Sequence, residues 1–337
     1  MTVTRRNILT SDEARERFLS GVVMLAQEDA GITASQAMFA VRSRIPRFEM
    51  FGIEQPLTVW DLFVLWHVVA MTTSSLPPGR LRNLAHGGPV FLPWHRLFLI
   101  RLEQQLQRVT GDANTALPYW DWAADGELSP TEQPETRLWK DILGGSRGDV
   151  ASGPLAAMRV RLFQQGNRLW SVPPRPLTRD AGTDIATLPK REDVAAALKA
   201  HLYDSAPWDG DSDSGLSEQT RGESFRNRVE GWVDPRTPGE QAPPQLHNRV
   251  HVWISGDMAP GTSPNDPVFY LNHCNEDRLW EAWMSRNGRN YRPGDTEPNA
   301  PSGHRLHDQM YALLGESLTP AQVLDPSQWY EYDDLSL

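Results

Sequence analysis

The sequence predicts a mainly α-helical fold whose core is a four-helix bundle. Residues 58–71 are apolar on nearly every side, which is typical of a helix at the centre of a bundle. A second stretch begins near Pro93 and continues with apolar residues at helical spacing. Two later stretches, 246–253 and 267–286, also have helical character. These four helices are the expected core.

The chain is expected to form a single domain over residues 1–337. Residues about 125–222 are rich in proline, glycine and acidic residues and indicate a loop-rich insertion. Residues about 290–337 contain many turn formers and are expected to form a peripheral extension. Loops are also expected at 31–56, with a short helical piece, and at 235–244. Shorter helices are predicted at residues 11–30, 191–202 and 225–232.

The composition argues against several kinds of partner and site. The formal net charge of -10 disfavours nucleic acid and anionic membranes as partners. No apolar run reaches the length of about 18 residues that a membrane span needs. The single cysteine, Cys274, allows neither an intrachain disulfide nor a cysteine zinc site. Two arginines near the start are followed by no apolar core, so no signal peptide is expected.

The histidines carry the functional prediction. His247 and His251 are four residues apart, which places both imidazoles on one face of a helix, where they can bind one metal ion. Six of the nine histidines fall into two groups of three. The first group is His67, His86 and His95, and the second is His247, His251 and His273.

Six imidazoles without carboxylates favour a pair of copper ions. Imidazole binds copper, zinc, iron and nickel, but a di-iron site would need carboxylates in the same motifs. Three neutral imidazoles can hold a copper ion and leave one face open to dioxygen. Asp277, one turn after His273, is a candidate for orienting a ligand or a neighbouring helix. The remaining histidines are expected at the surface, and they are His201, His304 and His307.

Long motifs surround these histidines. They read HGGPVFLPWHR at 86–96, LPYWDW at 117–122, LHNRVHVW at 246–253 and SPNDPVFYLNH at 263–273. These motifs closely resemble those of bacterial tyrosinases, which are type-3 copper proteins, and the likeness covers roughly 15–125 and 223–290. It implies a mainly helical fold with a four-helix core, two copper ions and dioxygen as co-substrate. By matching position, one copper would be held by His67, His86 and His95, and the other by His247, His251 and His273.

The resemblance also implies roles for residues around the metal ions. Glu230 and Asn248 match a glutamate and an asparagine that hold a water near the second copper, and this water could take a proton from a phenol. Phe269 matches a ring against which the substrate stacks, and Val252 matches a position lining the entrance. Asn272 stands where many relatives have a second histidine, and Cys274 follows the ligand His273.

The resemblance favours a tyrosinase, which hydroxylates phenols at the ortho position and oxidises o-diphenols to o-quinones. An o-aminophenol oxidase of secondary metabolism, making quinone imines or nitroso products, is the alternative, because Asn272 and the insertion depart from the family pattern. A dioxygen carrier and a two-zinc hydrolase are more remote alternatives. The expected partners are a small phenolic or aminophenolic substrate and a small copper-delivery helper protein. The expected location is the cytoplasm, or outside the cell after secretion with that helper.

Overall fold

Four helices form the centre of the molecule, which confirms the predicted fold class. The computed structural model describes residues 2–43, 49–79, 81–210, 224–236 and 244–336. The helices of the described chain are α1 (Asp12–Gln27), α2 (Ala34–Val41), α3 (Val59–Thr72), α4 (Phe91–Thr110), α5 (Trp122–Gly126), α6 (Arg191–Ala197), α7 (Phe225–Glu230), α8 (Leu246–Ile254), α9 (Val268–Asn287) and α10 (Pro320–Val323). The strands are β1 (Val3–Arg5), β2 (Asp29–Thr33), β3 (Glu49–Gly52), β4 (Pro56–Thr58), β5 (Arg147–Asp149), β6 (Val160–Gln165), β7 (Arg168–Arg175), β8 (Thr178–Asp180) and β9 (Tyr330–Tyr332).

Helix α3 begins at a capping box and lies in the core. The Thr58 hydroxyl accepts from the Asp61 N–H, and the Asp61 carboxylate accepts from the Thr58 N–H at 2.8 Å. The Trp66 ring packs edge-on against Trp94 and Phe98 of α4, with centroid distances of 5.8 and 5.0 Å. Burying each of these rings contributes roughly 2 kcal/mol or more, so the contact holds α3 against α4.

Helix α4 is the longest element beside α9 and packs against α1, α9 and α10. It begins at Phe91, slightly earlier than the predicted start at Pro93. Pro93 lies in the first turn, where its missing N–H costs no helical hydrogen bond. The helix ends at Thr110 and is followed by Gly111, whose φ of 68° suits glycine. Helix α8 packs against α9 and against α7, which completes the core.

Helix α7 approaches α8 closely because of one glycine. Gly231 follows α7 with φ of 93°, and a Cβ at this position would lie 1.9 Å from the carbonyl oxygen of Gln245. Only glycine permits both this conformation and this contact. The helix predicted at 225–232 is confirmed over Phe225–Glu230, two residues shorter than predicted, and Glu230 is fully buried at its end.

The insertion contains β-structure that the sequence did not predict. Strand β7 pairs antiparallel with β6 and parallel with β3, giving a sheet of order β3-β7-β6. Pro173 and Pro174 lie where the register of β6 and β7 shifts, since proline cannot donate to a sheet ladder. These prolines made the strand look like a loop. The helix predicted at 191–202 ends at Ala197, and residues 211–223 lie outside the described residues.

Two other predicted loops have a mixed outcome. The stretch 31–56 contains α2, as expected of its short helical piece, but it also contains most of β2 and all of β3. Its residues 44–48 lie outside the described chain. The surface loop expected at 235–244 falls mostly on residues 237–243, which the structure does not describe either.

The C-terminal extension contacts the core directly. Strand β9 pairs in parallel with β1, and the hydroxyls of Tyr330 and Tyr332 donate to Asp277 at 2.5 and 2.6 Å.

The prediction that His304 lies at the surface was wrong, because it is fully buried beside the backbone of Val90. His201 and His307 are exposed, as predicted. In the described chain no helix is long and apolar enough to cross a membrane.

Candidate metal centre

The bundle brings the six predicted histidines into two compact groups. In each group, one nitrogen from every ring lies within 4.8 Å of the others. His67 lies on α3 and His95 on α4, and His86 lies in the loop between these helices. His247 and His251 lie one turn apart on α8, and His273 lies on α9.

The two groups face each other. The rings of His95 and His273 are stacked, with centroids 4.1 Å apart and an interplanar angle of 6°. The rings of His86 and His247 are 5.9 Å apart. Because each group can hold one ion and the groups share this contact, the site suits a pair of neighbouring metal ions rather than two separate centres.

Backbone carbonyls fix the orientation of three rings. The Nδ1 atoms lie 2.7 Å from the Gly261 oxygen for His67, and 2.8 Å from the Phe91 oxygen for His95. The Nδ1 of His251 lies 2.8 Å from the Met258 oxygen. A carbonyl can only accept, so each Nδ1 carries the proton and each Nε2 keeps its lone pair for a metal.

The free ring nitrogens fit metal ions. Within the described residues, a buried Nε2 without a hydrogen-bond partner occurs in five members of the two groups, His67, His95, His247, His251 and His273, and outside the groups in His304. In His86 the nitrogen without a partner is Nδ1. Such buried unpaired nitrogens are unfavourable unless a bound metal ion satisfies them, and three imidazoles are suitable ligands for copper.

Burial keeps the histidines neutral. It lowers the pKa of His67 to about 3 and that of His251 to about 4. For the other four, burial is again the main cause, neighbouring histidines add to it, and the pKa lies well below its ordinary value. Only neutral imidazole binds a metal, so the site is ready for metal binding at neutral pH.

Two polar side chains border the second group. The Asn248 oxygen lies 3.0 Å from Nδ1 of His247, and the amide is half-buried. The Glu230 carbonyl lies 3.4 Å from the same nitrogen. The Glu230 carboxylate accepts from the Gly87 N–H at 2.6 Å and from Arg226 at 2.9 Å. Burial raises the pKa of Glu230 to about 7, although Arg226 acts to lower it.

Phe269 lies between the groups, and Val252 lies at their rim. The Phe269 ring is fully buried, 4.2 Å from the His273 ring and 5.0 Å from the His67 ring. Val252 is half-buried beside His251, which is also half-buried. The other five ligand candidates are buried, so the site is most open at His251.

The structure adds Glu276, which the sequence analysis missed. Its carboxylate is buried and lies 3.1 Å from Nδ1 of His273, although the atoms are not aligned for a hydrogen bond. The i+3 spacing on one helix is a signal that could have identified it. Asp277, the predicted candidate, instead accepts from Arg96 at 2.6 Å. It therefore orients a neighbouring helix, the second of its two predicted roles.

Neutral histidine trios facing each other in a helical core define the class of type-3 copper proteins. The family model described as the common central domain of tyrosinase matches residues 57–286. The chain belongs to the tyrosinase family. It is a copper-dependent phenol oxidase, with two copper ions as cofactor and dioxygen as co-substrate. The predicted enzyme class and cofactors are therefore confirmed.

Individual relatives agree with this assignment. A tyrosinase of Streptomyces antibioticus is 39% identical over 259 residues, covering 74% of this chain and 80% of the relative. Grixazone synthase of Streptomyces griseus subsp. griseus is 35% identical over 297 residues, covering 82% and 90%. A solved polyphenol oxidase of Thermothelomyces thermophila has a TM-score of 0.66 at 21% identity, covering 99% and 89%, and it supports the fold alone.

Proposed function

We propose that each histidine group binds one copper ion. The support is that five Nε2 atoms are buried without a partner and that their rings are neutral. The His95–His273 stack places the two groups next to each other, which is the single observation that carries a dinuclear function. The proposed ligands of the first ion are His67, His86 and His95, and those of the second are His247, His251 and His273.

The proposed reaction is the ortho-hydroxylation of a phenol and oxidation of the product to an o-quinone. One phenol and one dioxygen give one o-quinone and one water. An o-diphenol supplied directly is oxidised to the quinone, and two diphenols reduce one dioxygen to two waters. The copper pair, when bound, supplies the activation of dioxygen. The protein side chains must position the ring, exclude water and accept the phenolic proton.

The substrate is proposed to enter at His251 and Val252. These side chains are half-buried, whereas the other five ligand candidates are nearly inaccessible. Phe269 lies behind them against His273, so it can form the wall that the substrate ring meets. The apolar surroundings of Phe269 keep bulk water from the reacting ring.

Glu230 and Asn248 are proposed to accept the phenolic proton through a water. The Glu230 carboxylate accepts from Gly87 and from Arg226, and its two oxygens together offer about four acceptor positions, which leaves room for a water. Asn248 is half-buried beside His247 and can offer its N–H groups to the same water. A buried carboxyl group near a neutral pKa suits proton transfer at neutral pH.

An o-aminophenol oxidase is the second candidate. It is supported by the similarity to grixazone synthase, an aminophenol-oxidising enzyme that is 35% identical to this chain over 297 residues. An amine in place of the hydroxyl could occupy the same position on the ring. The buried side-chain amide of Asn272 has no hydrogen-bond partner. Assaying a phenol and an o-aminophenol side by side would show which of the two this enzyme prefers.

A substrate panel tests the proposal. Purified protein is loaded with copper, metal content is measured, and tyrosine, a catechol and an o-aminophenol are assayed with product identification. We expect two copper ions per chain and turnover of the catechol, with hydroxylation of tyrosine if the enzyme is a tyrosinase. Preference for the aminophenol would select the second candidate. One ion per chain, or no turnover of any substrate, would contradict both.

Three further proposals concern the whole chain. Residues 1–337 are proposed to be one domain, since β9 pairs with β1 and α10 packs on α4.

A small helper protein is proposed to deliver copper, because burial of five ligands slows access by the free ion. We place the enzyme in the cytoplasm or outside the cell with this helper. Loading rates with free copper and with a copper-carrying protein would test the helper.

A further inference from the structure

A short segment orients one histidine of each group. We call residues 256–266 the acceptor segment. Its Met258 oxygen lies 2.8 Å from Nδ1 of His251, and its Gly261 oxygen lies 2.7 Å from Nδ1 of His67. One piece of backbone therefore sets the ring orientation at both proposed copper ions.

These two rings depend on distant backbone in a way that His95 does not. His95 bonds to Phe91, one turn earlier on its own helix, so α4 alone fixes that ring. The rings of His67 and His251 have their acceptors on the acceptor segment. Hydrogen bonds weaken steeply with distance and misalignment, so a shift of the segment would release both rings.

The acceptor segment has little regular structure of its own. It contains two single 3₁₀ turns, Gly256–Met258 and Ser263–Asn265, joined by a glycine-containing link. Such a segment needs contacts from outside to stay in place. The strands of the insertion supply these contacts at both ends and in the middle.

The first end is held by Asp257. Its carboxylate accepts from both terminal nitrogens of Arg175 at 2.8 and 2.5 Å, and from the Thr178 N–H at 2.8 Å. A Cβ on Gly256 would lie 2.3 Å from the Thr178 oxygen, which shows how closely the two backbones approach. A bidentate arginine–carboxylate pair fixes orientation as well as distance.

The other end is held by Asp266. It forms a bidentate pair with Arg179 at 2.7 and 2.8 Å, and both side chains are fully buried. Arg179 also donates to the carbonyls of Leu143 and Gly145, so its charge is well paired. The Asp266 carboxylate further accepts from the Val268 N–H at the start of α9.

Strand β6 holds the middle of the segment. The Gln164 N–H donates to the Thr262 hydroxyl at 3.3 Å. The Asn265 amide donates to the Leu162 carbonyl at 2.9 Å. Both Thr262 and Asn265 are buried, so water does not replace these bonds in the folded protein.

We propose that the insertion strands β6–β8 position the two copper sites through the acceptor segment, with Arg175 and Arg179 as positioning residues. The contacts just described form one path from β7 and β8 through Asp257 and Asp266 to the carbonyls that hold His251 and His67. The insertion is thus part of the metal-binding machinery, although none of its residues belongs to either histidine group. This inference rests on the proposed copper ligands.

Two variants test the proposal. Arg175→Met removes the ion pair with Asp257. Because the Arg175 side chain is about one-third exposed, we expect the variant to fold. Arg179→Lys keeps the buried positive charge but loses the two-pronged contact. Arg161→Met is the matched control, because Arg161 lies on β6 and its ion-pair partner Asp61 lies outside the acceptor segment.

The first readout is amide hydrogen exchange of the copper-free protein. We expect faster exchange within residues 256–266 in both variants, with exchange in α4 unchanged and the control like the wild type. The second is copper retention against increasing chelator. We expect both ions to be lost at roughly tenfold lower chelator concentration, the lower end of the effect of losing a group that orients a metal ligand.

Two results would overturn the inference. One is unchanged exchange of the acceptor segment in both variants. The other is a loss of copper no greater than in Arg161→Met, which would mean that the arginines stabilise the fold without positioning ligands. Failure of the wild type to bind two copper ions would instead reject the proposed ligands. The exchange experiment on copper-free protein still decides whether the strands hold the segment.

Discussion

At the residue scale, the sequence predicted the histidines better than their partners. The i, i+4 pair on α8 and the long motifs identify the ligand candidates, because helical spacing fixes which side chains share a face. The acceptors of His67 and His251 are backbone oxygens of remote residues, and no side-chain pattern marks a carbonyl. His304 stands among polar neighbours in the sequence, and its burial comes from packing against remote residues such as Gly88 and Val90.

Glu276 provides a test of ligand orientation. Glu276→Leu removes the oxygen nearest to Nδ1 of His273, so the ring loses the partner that would hold its Nε2 toward the metal. We expect the second copper ion to bind about 10–100-fold more weakly, measured by metal analysis against a chelator. Glu276→Gln keeps an acceptor and should retain most of the affinity.

The control for Glu276 is another buried carboxylate on the same helix. Glu281 pairs with Arg96 and Arg289 rather than with a histidine. Glu281→Gln should leave the affinity of the second ion close to that of the wild type. Equal losses of copper in Glu276→Leu and Glu281→Gln would show that helix stability, not ring orientation, sets the affinity.

At the element scale, the core helices followed from local periodicity and the insertion strands did not. Helix α3 carries its own signals, an apolar surface and a capping box. Strand β7 pairs with β6, from which only two residues separate it, and also with β3 about 120 residues earlier, from Glu49 to Gly52. Pairing between distant segments leaves no local pattern, and the prolines in β7 hid what pattern there was.

Gly231 tests the approach of α7 to α8. Gly231→Ala would add a Cβ 1.9 Å from the Gln245 oxygen at a φ of 93°. We expect the free energy of unfolding to fall by about 2 kcal/mol or more, measured by urea denaturation. Gly166→Ala is the control, because Gly166 also has positive φ but no neighbouring atom within 4 Å.

The control separates strain from collision. Gly166→Ala should cost about 1 kcal/mol, which is the conformational strain alone. If the two variants lost the same stability, the close contact between α7 and α8 would have no energetic importance. A larger loss in Gly231→Ala, together with weaker copper binding, would show that this junction supports His247.

At the scale of the whole molecule, the core contains many ionisable groups that burial keeps in one state. Asp277 is an example: burial opposes its ionisation, but Arg96 and Arg5 hold its pKa below the ordinary value. The buried histidines are the opposite case, because burial lowers their pKa and keeps them neutral. Unfolding would let them bind protons, so the stability of the metal-free protein depends on pH.

The sign of this dependence follows from the lowered values. The pKa of His67 is about 3 and that of His251 about 4, against 6.5 for an ordinary histidine. Above pH 6.5 both histidines are neutral in the folded and in the unfolded protein, so they do not lower stability. As the pH falls from 6.5 towards the folded-state pKa values, only the unfolded protein takes up protons, and the free energy of unfolding decreases. At pH 5 each costs about 2 kcal/mol, from about 1.4 kcal/mol per pH unit.

Thermal unfolding of the metal-free protein between pH 7.5 and 5 measures this loss. We expect the midpoint to fall steeply below pH 6.5. His67→Gln should flatten the curve, because a group that takes up a proton only after unfolding has been removed. An unchanged slope would mean that carboxylates rather than buried histidines cause the acid sensitivity.

The partial exposure of His251 has a consequence for how the enzyme is filled. If the copper ions and the aromatic substrate reach the site by the same path beside Val252, a bound substrate ring blocks that path for the ions. Copper should then dissociate more slowly from enzyme that is saturated with substrate than from enzyme without substrate.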